Sequence, residues 1–184
     1  MDSESQMVRP VEISVGPVYN EDCQQIIDLI LPIQQIEFNV PITLEGQKDL
    51  LDIETHYHQP GGHFWGAKYE GQLVGTIALM DVGHQAGVIR KMFVKKAFRG
   101  KEQGIAQRLL EVLIDYCRSR GISDLYLGTV DMLKAAHRFY ERNDFVRIDA
   151  EVLPTYFPRM MADNVFYHLH LASRDHDGKH KTAS

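Results

Sequence analysis

The chain has 184 residues, 44% of them hydrophobic and 24% charged, with a formal net charge of −5. That length suits one globular domain with a substantial core, and that composition excludes a disordered chain. The acidic balance speaks against a general nucleic-acid binder, no apolar run reaches the ~18 residues of a membrane span, and the polar start MDSESQMVRP is not expected to act as a leader.

VEISV, Val11 to Val15, alternates and predicts a first strand. From Asn20, NEDCQQIIDLILPIQQIEF sets apolar residues at helical spacing behind an Asn cap, with Pro32 as a kink or an end. A second helix is predicted from Glu45 to His56. GGHFWGAKYEGQLVGTIALMDV predicts two antiparallel strands turning at Glu70-Gly71-Gln72, and GVIRKMFV, Gly87 to Val94, a further strand.

The strongest helical signal follows. Ile105, Leu109, Leu113 and Tyr116 form one apolar row, Ala106, Leu110, Ile114 and Cys117 the next, and Gly121 supplies the stop. SDLYLGTV then predicts a strand, MLKAAHRFYERN a helix, FVRIDAEVL a strand, and NVFYHLHL, Asn164 to Leu171, a closing strand. With no internal repeat and no linker, one α/β domain is the economical reading. Cys23 and Cys117 both fall in helical segments. Two buried thiols in a reducing compartment are expected in preference to a pair, which makes the cytoplasm the expected location.

Between Arg90 and Lys101 lie six cations, Arg90, Lys91, Lys95, Lys96, Arg99 and Lys101, with no acid among them. A helix start offers unpaired N–H groups and about half a positive charge, so it favours anions. Small residues at Gly100, Gly104 and Ala106 let an anion approach the backbone, with Lys101 and Arg99 adding charge. No Gly-Lys-Ser/Thr follows and no Gly-x-Gly-x-x-Gly is present, which excludes a Walker loop and a Rossmann fingerprint. On these residues alone, an ordinary solvated turn stands beside the phosphate reading.

IRKMFVKKAFRGKEQGIAQRLL, followed after a helix and a strand by KAAHRFYERNDF, resembles the GNAT superfamily of acetyl-CoA-dependent N-acetyltransferases. The resemblance covers roughly residues 8–171 and is sharpest between Ile89 and Phe145. It implies an α/β (α+β) fold in one domain spanning 8–172, with a mixed, mostly antiparallel central sheet flanked by helices and flexible tails at 1–7 and 173–184. By position, the backbone of Met92, Phe93 and Val94 is expected to pair with the pantetheine amides of acetyl-CoA like an added strand. The backbone amides of Arg99, Gly100, Lys101, Glu102, Gln103, Gly104, Ile105 and Ala106 are expected to hold the pyrophosphate, and the rest of the basic cluster the phosphorylated adenosine end. Tyr140 falls where the family commonly has a tyrosine near the thioester sulfur, as general acid.

The chain departs from the family pattern at several places. Lys101 stands three residues before Gly104 and Arg99 five before, so the loop is either lysine-anchored or two residues longer than usual. Leu133 replaces an expected asparagine, and Asp144-Phe145 replaces Gly-Phe after the helix. AGVIRKMFV carries no glutamate to act as base. His84, Asp81 and Glu70 are the weak candidates beside deprotonation through solvent. His137 is expected to pack or face solvent. Neither HYH at 56–58 nor HLH at 168–170 completes a metal-ligand set, and His168 and His170 are expected to be ordinary partnered histidines on one strand face.

The implied function is direct acetyl transfer to a primary amine, small molecule or peptide, without a covalent enzyme intermediate. Its rivals are a non-catalytic acyl-CoA-binding module and an interaction domain docking an acidic partner. Acceptor selectivity is expected from Phe38–Leu50 and Leu153–Asn164, where Tyr156, Phe157 and Arg159 form either a lid or a cover for the core. The expected partners are acetyl-CoA and the amine, with no nucleic acid and no membrane. A homodimer is allowed.

Overall fold

Seven strands and three α-helices form where apolar periodicity called for them, in a computed structural model that describes residues 12–160 and 162–172. The strands are β1 (Ile13–Pro17), β2 (His63–Tyr69), β3 (Gln72–Asp81), β4 (Ala86–Val94), β5 (Asp124–Thr129), β6 (Val146–Ile148) and β7 (Val165–His170). The helices are α1 (Cys23–Pro32), α2 (Ile105–Ser119) and α3 (Lys134–Arg142). The strand order is β1-β2-β3-β4-β5-β7-β6. β2 pairs antiparallel with β1 and β3, β7 antiparallel with β5 and β6, and β4 parallel with β5. The sheet is thus mixed, mostly antiparallel and flanked by helices, as the resemblance implies. The tails expected at 1–7 and 173–184, and the start of the first expected strand at Val11, lie outside the described residues.

The chain divides into two compact units, one running to Met80 and including Arg90–Leu113, the other comprising Asp81–Ile89 and the chain from Ile114. In the first unit the apolar face of α1, Ile26 and Ile30 above all, is fully buried with Leu50, Ile53, Tyr57 and Phe64. α1 ends at Pro32, and the chain continues in a wider π-helical turn, Ile33–Glu37. Proline lacks the N–H that a regular turn would use and its ring crowds the carbonyl four residues back. Where sequence periodicity predicts one helix over 45–56, two short pieces form: a 3₁₀ segment Glu45–Leu51 and a π-helical turn Glu54–His58, separated at Asp52 (φ −154°). The break has a polar cause. Asn20 Nδ2 donates to Asp52 Oδ1 at 2.9 Å, and Glu54 N donates to Asn20 Oδ1 at 3.1 Å. Asn20 therefore bridges to the later segment, and its bonds to Asp52 and Glu54 compete with a continuous helical ladder there.

β2 and β3 are joined by Glu70 and Gly71, both left-handed (φ 50° and 81°), the two-residue turn that suits a twisted hairpin. Further along β3, an added Cβ at Gly75 would stand 3.2 Å from Ile105 and from Leu109, so this residue lets the start of α2 lie close on the strand. In the second unit, Leu125 and Leu127 of β5 are buried. α3 stops at Asp144, which takes the left-handed φ of 70° expected of a Gly substitute. β6 is shorter than its apolar pattern suggests: Val146 is 63% exposed and a 3₁₀ turn, Ala150–Val152, begins after Asp149.

A conspicuous polar feature of the first unit's interior is Lys91. It is buried within β4 and left-handed (φ 56°). Its ammonium donates to Gln47 Oε1 at 2.6 Å and stands 3.5 Å from Asp49 Oδ2. The Gln47 and Gln34 amides bond each other reciprocally at 2.8 and 3.1 Å, and the Tyr57 hydroxyl donates to Asp49 Oδ2 at 2.5 Å. Burial, then the neighbouring Asp49 carboxylate, push the Tyr57 phenol well above its ordinary pKa. Thr76 Oγ1 donates to the Lys91 carbonyl at 2.7 Å and pins the unusual backbone. Lys91→Met keeps the apolar stem and removes the charge, leaving Gln47 and Asp49 short of a partner. The expected loss is roughly 2–4 kcal/mol of stability in urea unfolding. The double variant Lys91→Met/Asp49→Asn is expected to recover part of it.

Candidate active site

β4 runs out at Val94, and a 3₁₀ turn, Lys96–Phe98, leads into the loop before α2. Gly100 (φ 118°) and Gly104 (φ 66°) both adopt backbone that side chains disfavour. Gly104 N donates to Gly100 O at 3.2 Å, which closes the loop, and Arg108 N donates to Gly104 O at 3.0 Å, which starts the helical ladder. Ile105 and Ala106 then lie in a first turn whose N–H groups have no intrahelical acceptor. Lys95, Lys96 and Lys101 are exposed around this loop. Oε1 of Gln103 is buried without a hydrogen-bond partner, so the polar groups of the loop are not fully matched within the chain. A bent, glycine-hinged backbone with open donors and exposed cations suits a pyrophosphate.

The expected cationic cluster does not act as one body. Lys91 is buried in the network described above. Nη1 of Arg90 lies 3.2 Å from Met80 Sδ. Arg99 is held inside the unit: its Nε donates to the Val94 carbonyl at 2.7 Å, its Nη2 to Glu37 Oε1 at 2.7 Å and its Nη1 to Glu37 Oε2, and the guanidinium sits 5.6 Å from the Phe38 ring centre. Its N–H donates to Lys96 O at 3.3 Å. Arg99 thus clamps the loop to the turn after α1, and Lys101 with Lys95 and Lys96 is left to supply exposed charge. Within the expected cofactor strand, the Val94 carbonyl is engaged by Arg99, while Met92, Phe93 and Val94 remain half-buried.

In the second unit Tyr140 is 5% exposed, with ring centres of Phe139, Phe145 and Tyr167 at 5.5, 5.5 and 5.9 Å. Burial pushes its phenol well above the ordinary value, with Tyr167 adding to the shift. It therefore stays protonated at neutral pH. His137, one turn earlier, is buried and bonds the Val130 carbonyl at 3.0 Å, a packing role. His168 and His170 both bond Asp124 Oδ1, at 2.8 and 3.0 Å, and His168 stacks on Tyr126. These contacts, against the opposing effect of burial, hold the Asp124 carboxyl below its ordinary pKa. Among the described residues no group of three or more His, Cys, Asp or Glu side chains could hold a metal ion.

The weak base candidates lie in turns or at a strand end. Glu70 is in the β2–β3 turn, Asp81 Oδ1 accepts from Gly83 N, and exposed, left-handed His84 stacks on Tyr156 at 4.1 Å. The segment after β6 covers the sheet. Phe157 meets Tyr126 and Phe166 edge-on, and the Arg159 guanidinium lies 5.0 Å from the Phe166 ring centre. Both cysteines are free and buried, and burial pushes the Cys117 thiol up to about 12, so neither offers a thiolate. Sequence periodicity missed the Gln34–Gln47–Asp49–Tyr57–Lys91 network. Its visible signal is a lysine, beside Arg90, in the middle of a mostly apolar strand.

The family model described as acetyltransferase (GNAT) family matches residues 27–145. A GNAT-family acetyltransferase from Staphylococcus aureus Mu50 matches with a TM-score of 0.83 at 35% identity, covering 87% of this chain and 99% of that one. N-acetylaspartate synthetase of Danio rerio is 38% identical over 102 residues, which is 54% of this chain and 36% of that protein. The PaiA N-acetyltransferase of Thermoplasma acidophilum, solved with coenzyme A, shares the fold with a TM-score of 0.66 at 16% identity, covering 86% of this chain and 98% of that one. The chain belongs to the acetyltransferase (GNAT) family. It spans between 36% and 61% of the length of the curated relatives it matches.

The clamp at Arg99 has a pH signature. Its hydrogen bonds, and then its charge, hold the Glu37 carboxyl below the ordinary range. A depressed carboxylate stabilises the fold above its unfolded pKa of about 4.3 and loses that contribution as pH falls through the folded value. The stability gap between wild type and Arg99→Ala is therefore expected to be full at neutral pH and to narrow below about pH 4. Thermal unfolding at stepped pH measures it. A residual gap from lost packing on Phe38 should persist in acid.

Proposed function

We propose that this chain transfers an acetyl group from acetyl-CoA to the nitrogen of a primary amine, on a small molecule or a peptide, by direct attack. The observation that carries the reading is the loop before α2: two left-handed glycines, an open helix start and exposed lysines, inside the span the family model matches. Coenzyme A in the solved relative of the same fold supports the choice of cosubstrate.

Gly100 to Ala106 would hold the pyrophosphate, with Lys101 as the nearest charge. Met92 and Phe93 offer strand backbone to the pantetheine arm. Bound acetyl-CoA supplies an acyl group on sulfur. The neutral amine forms the new C–N bond as the C–S bond breaks, and the nitrogen gives up its proton to solvent. A backbone N–H of Met92–Val94 steadies the acyl oxygen, and Tyr140 gives its proton to the departing sulfur. The phenol carries its proton at neutral pH, and burial makes it a weaker acid than an exposed tyrosine. The bare thiolate is only moderately basic, so the reaction tolerates a weak acid. The partners in this reading are acetyl-CoA and the amine. Two separate buried thiols support a reducing compartment, hence the cytoplasm.

Thiol release from acetyl-CoA, screened over simple amines, amino acids and short peptides, tests the reading. Amine-dependent release is expected, and its absence across the panel counts against it. Tyr140→Phe is expected to lower kcat by about one to three orders of magnitude with little change in CoA affinity, where chemistry limits turnover. Gly104→Val puts a branched residue at φ 66° and is expected to weaken CoA binding while the fold persists at a cost of about 1–2 kcal/mol. Unchanged CoA affinity in that folded variant would remove the loop from the cofactor site.

A further inference from the structure

We propose that Thr76 is a positioning residue for acetyl transfer: its hydroxyl aims the peptide between Lys91 and Met92 so that the Met92 N–H meets the acyl oxygen. The inference rests on the acetyl-transfer reading and narrows its choice among the amides of Met92, Phe93 and Val94 to one.

The hydroxyl stands in apolar company. From Leu73 to Leu79 every residue of β3 is buried, and in LVGTIAL Thr76 carries the only polar side chain. Valine has nearly the same shape and would bury without cost, whereas a buried hydroxyl is tolerated only with a hydrogen-bond partner. Thr76 is 0% exposed, and its Oγ1 donates to the Lys91 carbonyl at 2.7 Å. The residue that presents this carbonyl is itself irregular, since Lys91 is left-handed (φ 56°) inside a strand. One polar side chain of β3 thus meets β4 at the residue where its backbone departs from strand geometry.

The next peptide transmits the contact. The bond between Lys91 and Met92 is trans. A trans peptide is flat, with its C=O and N–H directed to opposite sides. With the Lys91 oxygen drawn toward Thr76 on β3, the Met92 N–H is turned away from β3. Donation into the carbonyl also polarises the peptide and makes that N–H a stronger donor. The ammonium of Lys91, bonded to Gln47 Oε1 at 2.6 Å, restrains the residue from its side-chain end.

Beyond this peptide the strand is fixed again. Lys95 N donates to the Val74 carbonyl of β3 at 2.8 Å, and Arg99 Nε donates to the Val94 carbonyl at 2.7 Å. Met92 to Val94 therefore run between two anchored points, and of their three amides only that of Met92 shares a peptide with the carbonyl that Thr76 holds. A donor aimed in advance need not reorient when charge develops on the acyl oxygen. Thr76 touches no reacting atom and acts through the peptide alone.

The test compares Thr76→Val, which keeps the shape and removes the hydroxyl, with Thr76→Ser, which keeps the hydroxyl. The assay uses the amine that releases thiol best in the wild-type protein, where chemistry limits turnover. Thr76→Val is expected to lower kcat by about 10- to 50-fold with amine KM and CoA affinity within about twofold of wild type, and Thr76→Ser to recover most of the loss. The carbon-13 resonance of the Lys91 carbonyl reads the bond without any substrate: an upfield shift is expected in Thr76→Val, and a wild-type position in Thr76→Ser. Should Thr76→Val not fold, Thr76→Cys, with a weaker donor of similar size, takes its place under the same expectations. An unchanged kcat, a loss in Thr76→Ser as large as in Thr76→Val, or an effect confined to KM or CoA affinity overturns the inference while acetyl transfer stands. A wild-type protein that releases thiol with no amine in the panel overturns acetyl transfer itself, and this inference with it.

Discussion

An ammonium group taken out of water has to be matched on the spot, and the burial of Lys91 imposes that requirement on the first unit. The cost of stripping a charge is several kcal/mol, so Lys91 is tenable only where Gln47 accepts its hydrogen bond and Asp49 supplies a counter-charge. Both partners come from the 3₁₀ segment Glu45–Leu51. Satisfying the lysine thus decides where that segment lies and why Gln47 leaves helical geometry. Gln34 and Tyr57 extend the same network to the turn after α1 and to the turn before β2. One charge on β4 in this way ties together three stretches that also bury apolar side chains.

The backbone at Lys91 links this network to the chemistry. A left-handed residue interrupts the regular alternation of a strand, and Thr76 holds that interruption by binding the Lys91 carbonyl. The residues next along, Met92 to Val94, are those whose backbone is proposed to meet the pantetheine arm and the acyl oxygen. A catalytic N–H is useful only if it does not move when charge develops. Side chains that never touch substrate can therefore matter through the rigidity they give β4. Arg99 has a comparable place at the strand's far end, where it ties the Val94 carbonyl to Glu37 and stiffens the approach to the glycine loop.

The second unit solves a different problem. In the proposed reaction the Tyr140 phenol must keep its proton at neutral pH and then give it to sulfur. Packing among Phe139, Phe145 and Tyr167 ensures the first by excluding water from Tyr140 and makes the phenol a weaker acid, while the modest basicity of a thiolate lets it depart with little help. The cover of the opposite face, Phe157 and Arg159 on Phe166, leaves the strand end at Gly128 to a carboxylate and not to an aromatic ring. Tyr140 on α3 is thus tied to β5 through Tyr167 and the β5–β7 pairing.

Local patterns account for much of this protein. The α2 periodicity, the Glu70–Gly71 turn, the stops at Gly121 and Asp144 and the glycines of the loop each depend on a few neighbouring residues, whose backbone preferences act without help from the rest of the chain. They were enough to reveal the fold and the family. The break of 45–56 into two turns was not legible, because it depends on Asn20 reaching a segment over thirty residues away. Nor could a cluster of six cations announce that one would be buried and another clamped by Glu37, since both outcomes depend on partners brought in by the sheet. The sequence by itself determined most of the elements and the glycine loop proposed to bind the pyrophosphate, because short-range sterics and periodicity govern them. Tertiary structure alone decided which charges face solvent, which are neutralised inside, and that a carboxylate lies on Gly128, because Coulomb energies and close packing depend on distances that no local pattern contains.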